Sequence, residues 1–178
     1  MSLSEKVKDS IERLKAFQPR NGEGYYLAFS GGKDSVVCKH LLGMSGVKFD
    51  AHYNNTSIDP PELVRFIIDK HSDVKREFER FPDTYKNSRL AGKRITMFNL
   101  IPEKKIPPTR LARYCCQYLK ESGGDGRKVV TGVRWAESSN RKNNQGIVSI
   151  YGVSASDELR DNGNFTQIKR GGGGTHKR

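Results

Sequence analysis

Cysteine is scarce in this chain and acidic residues are outnumbered by basic ones, and each imbalance limits what the protein can be. Three cysteines (Cys38, Cys115, Cys116) and one tryptophan stand among 178 residues. Three thiols, two of them adjacent, cannot build a disulfide framework, so a reducing cytoplasm is the expected compartment. No apolar run approaches the ~20 residues that cross a bilayer, and residues 1–17 read as a charged amphipathic helix rather than a secretory signal. A membrane partner is therefore not expected. Aspartate and glutamate number 20 against 32 lysines and arginines, a formal net charge of +12. That surplus suits an anionic partner, either a phosphorylated small molecule or nucleic acid, but a solvated basic surface has the same composition. Helix-turn-helix, zinc-finger and aromatic stacking patterns are missing, and no internal repeat is visible.

What is present reads as an α/β domain. Ser2-x-x-Glu5 has the form of a capping box, with Val7, Ile11 and Leu14 on one helical stripe behind it. Tyr25–Phe29 and Val47–Tyr53 are apolar runs of strand length, and Lys128–Val133 is a third. Between the first two, Val36, Val37, Leu41 and Leu42 mark a helix that ends near Gly43 or Gly46. Asp59-Pro60-Pro61-Glu62 predicts another helix start capped by Asp59, with Leu63, Phe66 and Ile67 turned inward. Residues 75–108 are basic and proline-punctuated, with one short element at Ile95–Ile101. Thr109 is expected to cap a helix running through Leu111 to Leu119 and stopped by Gly123-Gly124, and Ile147–Val153 is a further strand candidate. Strand alternating with helix predicts a parallel, doubly wound sheet with crossover helices. The expected organisation is an N-terminal helix and loop (1–22), a nucleotide-binding domain (23–155) and a polar, glycine-rich basic tail (156–178).

The most informative stretch is Ser30-Gly31-Gly32-Lys33-Asp34-Ser35, between the first strand and its helix. A small-residue turn at a helix N-terminus exposes backbone N–H groups where the helix dipole also favours an anion. Gly31 and Gly32 let an oxyanion approach the main chain, Lys33 adds a mobile positive charge, and Ser30 and Ser35 add hydroxyls. The spacing is neither that of a Walker loop nor that of a dinucleotide fingerprint. Two more polar clusters, Asn54–Asp59 and Arg134–Arg141, follow predicted strands, so all three would share the edge where parallel sheets bind ligands.

Ser-Gly-Gly-Lys-Asp-Ser after a first strand resembles the PP-loop of adenine-nucleotide enzymes. Arg113-Tyr114-Cys115-Cys116-Gln117-Tyr118-Leu119-Lys120 is similar to the Cys-Cys helix of the 3′-phosphoadenylyl sulfate (PAPS) reductase family. Gly132-Val133-Arg134-Trp135-Ala136-Glu137-Ser138-Ser139-Asn140-Arg141 resembles that family's Gly-x-Arg-x-x-Glu-Ser-x-x-Arg segment. The resemblance covers residues 25–145. It implies an adenine nucleotide (PAPS, adenylyl sulfate or ATP) whose phosphate or sulfate end sits on Ser30–Ser35, with Asn54, Thr56 and Asp59 near the adenosine. Arg134 and Arg141 would offer guanidinium forks to the ligand's oxygens, and Glu137 would either fix an arginine or touch the ligand. Cys115 and Cys116 are the thiol candidates, while Cys38 falls on the apolar face of its helix and reads as core.

The departures from the family pattern shape the expected chemistry. Its reductases finish with a cysteine in a Glu-Cys-Gly-Leu-His tail, and no cysteine follows Cys116 here. A four-iron cluster wants four thiolates, and two of those positions are present, so no bound cluster and no metal site is expected. The chain reads as a shortened or divergent member acting in sulfur metabolism or sulfur transfer. An ATP pyrophosphatase-type enzyme, with Asp34 positioning Mg²⁺, and a catalytically incomplete nucleotide-binding subunit are the alternatives. Implied partners are the nucleotide, a thiol reductant protein and, for a DNA-modifying enzyme, DNA against the basic surface. A homodimer is left open.

Overall fold

A computed structural model describes residues 2–20, 22–81, 90–120, 123, 124 and 126–134. Its strands are β1 (Tyr25–Ala28), β2 (Phe49–Asn54), β3 (Lys75–Glu77) and β4 (Val129–Thr131). They form one parallel sheet in the order β3-β2-β1-β4. Among the described residues five helices accompany them: α1 (Leu3–Ala16), α2 (Lys33–Ser45), α3 (Pro61–Lys70), α4 (Met97–Lys104) and α5 (Tyr114–Leu119). The chain divides into two units, Met1–Gly132 and Val133–Arg178. The second is described only at Val133 and Arg134, both exposed.

The period-2 alternation of the strands assigns the two faces of the sheet. Tyr25, Leu27 and Phe29 with Ala51 and Tyr53 lie on one face and join Leu42 of α2 and Ile67 of α3 in a single apolar cluster. Leu14, Val36, Cys38 and Leu63 pack against it. The other face is polar and carries Tyr26, Asp50, His52 and Asn54, with the Lys120 carbonyl and Gly123, from the end of α5 and just beyond, packed on it. A second apolar cluster of Phe81, Ile95, Met97, Leu100 and Leu119 ties α4 to α5. A parallel sheet with flanking helices is consistent with double winding.

Several expectations need correction. Residues 75–108 are more ordered than their composition suggests: Lys75–Glu77 is an edge strand, and α4 occupies Met97–Lys104. Asp59 does not cap α3. The cap position is Pro60, without a side-chain bond, because the Asp59 carboxylate is taken by Tyr53 and Thr56. Thr109 does not start α5 either. Its hydroxyl accepts the Ala112 N–H in a local turn, the helix begins at Tyr114, and Leu111 is left 98% exposed. Phe66 and Val37 are exposed rather than inward, since α3 and α2 bury narrower stripes than the sequence pattern offers. Ile147–Val153 lies outside the described residues.

The Ser2/Glu5 capping box is formed as expected, with both reciprocal bonds in place. Replacing Ser2 by alanine should cost about 1 kcal/mol, read as a lower denaturant midpoint with an unchanged slope.

Candidate anion site at the end of strand β1

The loop after β1 is shaped by two glycines with different duties. Phe29 still belongs to the sheet, its N–H donating to the His52 carbonyl at 2.8 Å. Gly31 then takes a φ of 74°, and a Cβ there would lie 2.6 Å from Leu63 Cδ1 and 3.0 Å from Ile67 Cδ1. Both its conformation and its seat against α3 require glycine. Gly32 is the N-cap of α2, in extended conformation and with no side chain to offer. Helices α1 and α4 instead carry complete capping boxes at Ser2 and Thr96. The first turn of α2 thus presents its N–H groups without a side-chain acceptor, at the positive end of the helix dipole.

The two serines differ in availability. Ser35 is buried and its hydroxyl donates to the Gly32 carbonyl at 2.8 Å, closing the turn. Ser30 is exposed; its hydroxyl accepts the Gly32 N–H at 3.4 Å and donates to Ser35 Oγ at 3.3 Å. Lys33 is exposed, and Asp34 is half-buried in the same first turn. The sheet order gives the loop its position. From β1 the chain runs outward through β2 to β3, then returns to pair β4 on the opposite side of β1. The loop therefore sits where strand order reverses, the crevice that open parallel sheets use for ligands.

Asn54 ends β2 and Thr56 and Asp59 follow in the loop, but their side chains are differently engaged. The Asp59 carboxylate accepts from Tyr53 Oη (2.7 Å), Thr56 Oγ1 (2.7 Å) and the Thr56 N–H (3.2 Å). Burial pushes the Asp59 carboxyl up, but these donors outweigh it and leave a net lowering. Thr56 and Asp59 thus serve to stiffen the loop. Ser57 holds a φ of 69° beside them and accepts the Met97 N–H, linking the loop to α4. Asn54 donates weakly to the Lys120 carbonyl at 3.4 Å, and its Oδ1 is buried with no partner among the described residues. A buried acceptor left unpaired by its neighbours is costly unless a partner reaches it.

Arg134 follows β4 and is exposed. Glu137 and Arg141 lie outside the described residues. The adjacent cysteines point into different surroundings: Cys115 packs against the Phe81–Leu119 cluster, while Cys116 Sγ accepts from Arg113 Nη2 at 3.4 Å. Cys38 packs on the main core, and burial, with Asp34 nearby, pushes its thiol up.

One polar network escaped the sequence reading. Asp50, on the polar face, accepts from both Arg127 Nη atoms, from Lys75 Nζ at 2.9 Å and from His52 Nε2 at 2.6 Å. His52 Nδ1 meets Glu77 Oε1 at 2.5 Å, and its ring stacks on Tyr26 with centroids 4.0 Å apart. Burial first, then the nearby carboxylates of Glu77, Glu79 and Asp50, push the Tyr26 hydroxyl up to about 12. The Asp-x-His-x-Asn alternation of β2 was the signal for this second face. Among the described residues no group of three or more His, Cys, Asp or Glu side chains could hold a metal ion. Nor is any described helix long and apolar enough to cross a membrane.

Compared with known proteins, the chain matches no protein-family model and no curated sequence.

Proposed function

We propose that this chain is a PAPS-reductase-like protein in which Ser30–Ser35 holds the phosphate or sulfate end of an adenylyl nucleotide. The observation that carries the reading is the glycine-capped N-terminus of α2 at the sheet's reversal point. Uncapped N–H groups, an exposed lysine and the helix dipole converge there on one anion. Asn54 Oδ1 would accept from the ligand's amino edge, and the loop stiffened by Asp59 would hold it in place. The substrate is PAPS, adenylyl sulfate or ATP, and the setting is sulfur metabolism or sulfur transfer. Cys116, with Arg113 against its sulfur, is the thiol on hand for sulfur chemistry, while Cys115 packs into the apolar cluster.

Calorimetric titration of the wild-type chain with PAPS, adenylyl sulfate and Mg²⁺-ATP tests this reading. Micromolar binding of at least one is the expected result, and no binding of any removes the proposal. Turnover then separates the chemistries. Sulfite formed from PAPS with a thiol donor marks a reductase, and pyrophosphate released from ATP marks a pyrophosphatase-type enzyme. Binding without either product leaves a nucleotide-binding subunit.

A further inference from the structure

We infer that Gly132, the residue after β4, is a positioning residue for the anion loop. The inference rests on the anion-site reading and adds to it a part of the chain remote in sequence. A Cβ at Gly132 would stand 2.9 Å from the Asp34 carbonyl carbon, 3.0 Å from the Ser35 nitrogen and 3.1 Å from Asp34 Cβ. The first two are backbone atoms and the third is fixed to the backbone, so no rotamer change clears them. Gly132 does not occupy the left-handed region, unlike Gly31. Space, not conformation, demands glycine here.

The contact joins the end of β4 to the peptide that carries the Ser35 N–H, in the first turn of α2. Strand β4 itself is fixed by pairing with β1, through Tyr26↔Val129 and Ala28↔Thr131. Gly132 therefore transmits the position of one neighbour of β1 to the helix that begins after β1. A side chain there would displace the turn and re-aim its N–H groups. A glycine of the same helix with no such duty supplies the comparison: a Cβ at Gly43 would meet nothing within 4 Å.

Pyrophosphate is the probe, because it reports on the loop alone. Gly132→Ala is expected to weaken pyrophosphate binding about tenfold or more, the equivalent of one misdirected hydrogen bond, while circular dichroism still reads as folded. Gly43→Ala should bind as the wild type does. Unchanged affinity in a folded Gly132→Ala variant overturns the inference and leaves the anion site standing. A wild-type chain that binds neither pyrophosphate nor any of PAPS, adenylyl sulfate and ATP removes both, and that result comes before any variant is compared. If Gly132→Ala fails to fold, amide NMR of the wild-type chain decides. Pyrophosphate should shift Gly132 together with Lys33 and Ser35, and a Gly132 amide that stays still while those two move overturns the inference.

Discussion

Asp50→Ala is expected to destabilise the chain by about 3 kcal/mol, lowering the melting temperature by roughly 6–12 °C. The substitution strips Arg127, Lys75 and His52 of their shared carboxylate at once. Arg127 would be left with the Gly24 carbonyl at 3.2 Å, the Glu23 carbonyl at 3.5 Å and the Tyr26 ring, without a carboxylate to balance its charge. The same hub makes the fold acid-sensitive. Arg127 above all, then Lys75 and His52, hold the Asp50 carboxyl well below the usual carboxylate range, against the opposing push of burial. A depressed folded-state value means that the contribution is present above the unfolded value near 4 and is lost as pH falls through the folded one. Wild-type stability should therefore decline steadily below about pH 4, and Asp50→Ala should flatten that decline. Denaturant melts of both proteins from pH 7 to pH 2 check the sign. Parallel curves would show that the carboxylate is not the hub that the geometry makes it.

Lys33→Ala should weaken binding of ATP or PAPS by about 10- to 100-fold, the loss of one charge-assisted contact to an anion. Its stability should barely move, since Lys33 is exposed. Lys39, one helical face away, is the informative control. Its ammonium is committed to Asp73 at 2.6 Å and to His71 Nδ1 at 3.2 Å. Lys39→Ala should cost stability and leave nucleotide affinity unchanged. Raising the salt should weaken the wild type more than Lys33→Ala, because part of the attraction is screened. Equal affinity of wild type and Lys33→Ala would move the anion away from this loop.

The parts of the fold that were legible are those whose stability comes from burial in a regular pattern. Tyr25–Ala28 and Phe49–Asn54 alternate onto a core, and the expected strand Lys128–Val133 is realised over Val129–Thr131. Lys75–Glu77 was not legible. It is charged throughout, and it holds its place through backbone pairing and through side chains that reach β2, namely Lys75 to Asp50 and Glu77 to His52. Charged residues on an edge strand also discourage pairing with another chain, so its sequence mimics a loop. In the candidate site, the turn at Ser30–Ser35 between β1 and α2 was legible because its small residues follow from the geometry of a strand-to-helix turn. The internal use of Thr56 and Asp59 was not, because a carboxylate that braces a loop and one that meets a ligand look alike in sequence. Gly132 stood inside a recognised motif, but its reason, a contact with Asp34 and Ser35 nearly a hundred positions earlier, appears only once the chain is folded.

The pairing of β1 with β4 has a kinetic consequence. These are the first and last of the described strands, so their contact closes the longest loop among them and carries the greatest entropic cost. Strands β1, β2 and β3 can assemble from neighbouring segments, whereas β4 docks from far along the chain. The wall that Gly132 sets against the loop is thus completed late. A nascent chain that ends before β4 would hold the whole Ser30–Ser35 sequence and still lack the surface that aims it. Affinity for pyrophosphate should accordingly appear during refolding with the slowest phase rather than with the first burial of tyrosine, and the six-residue loop should not work as an isolated peptide.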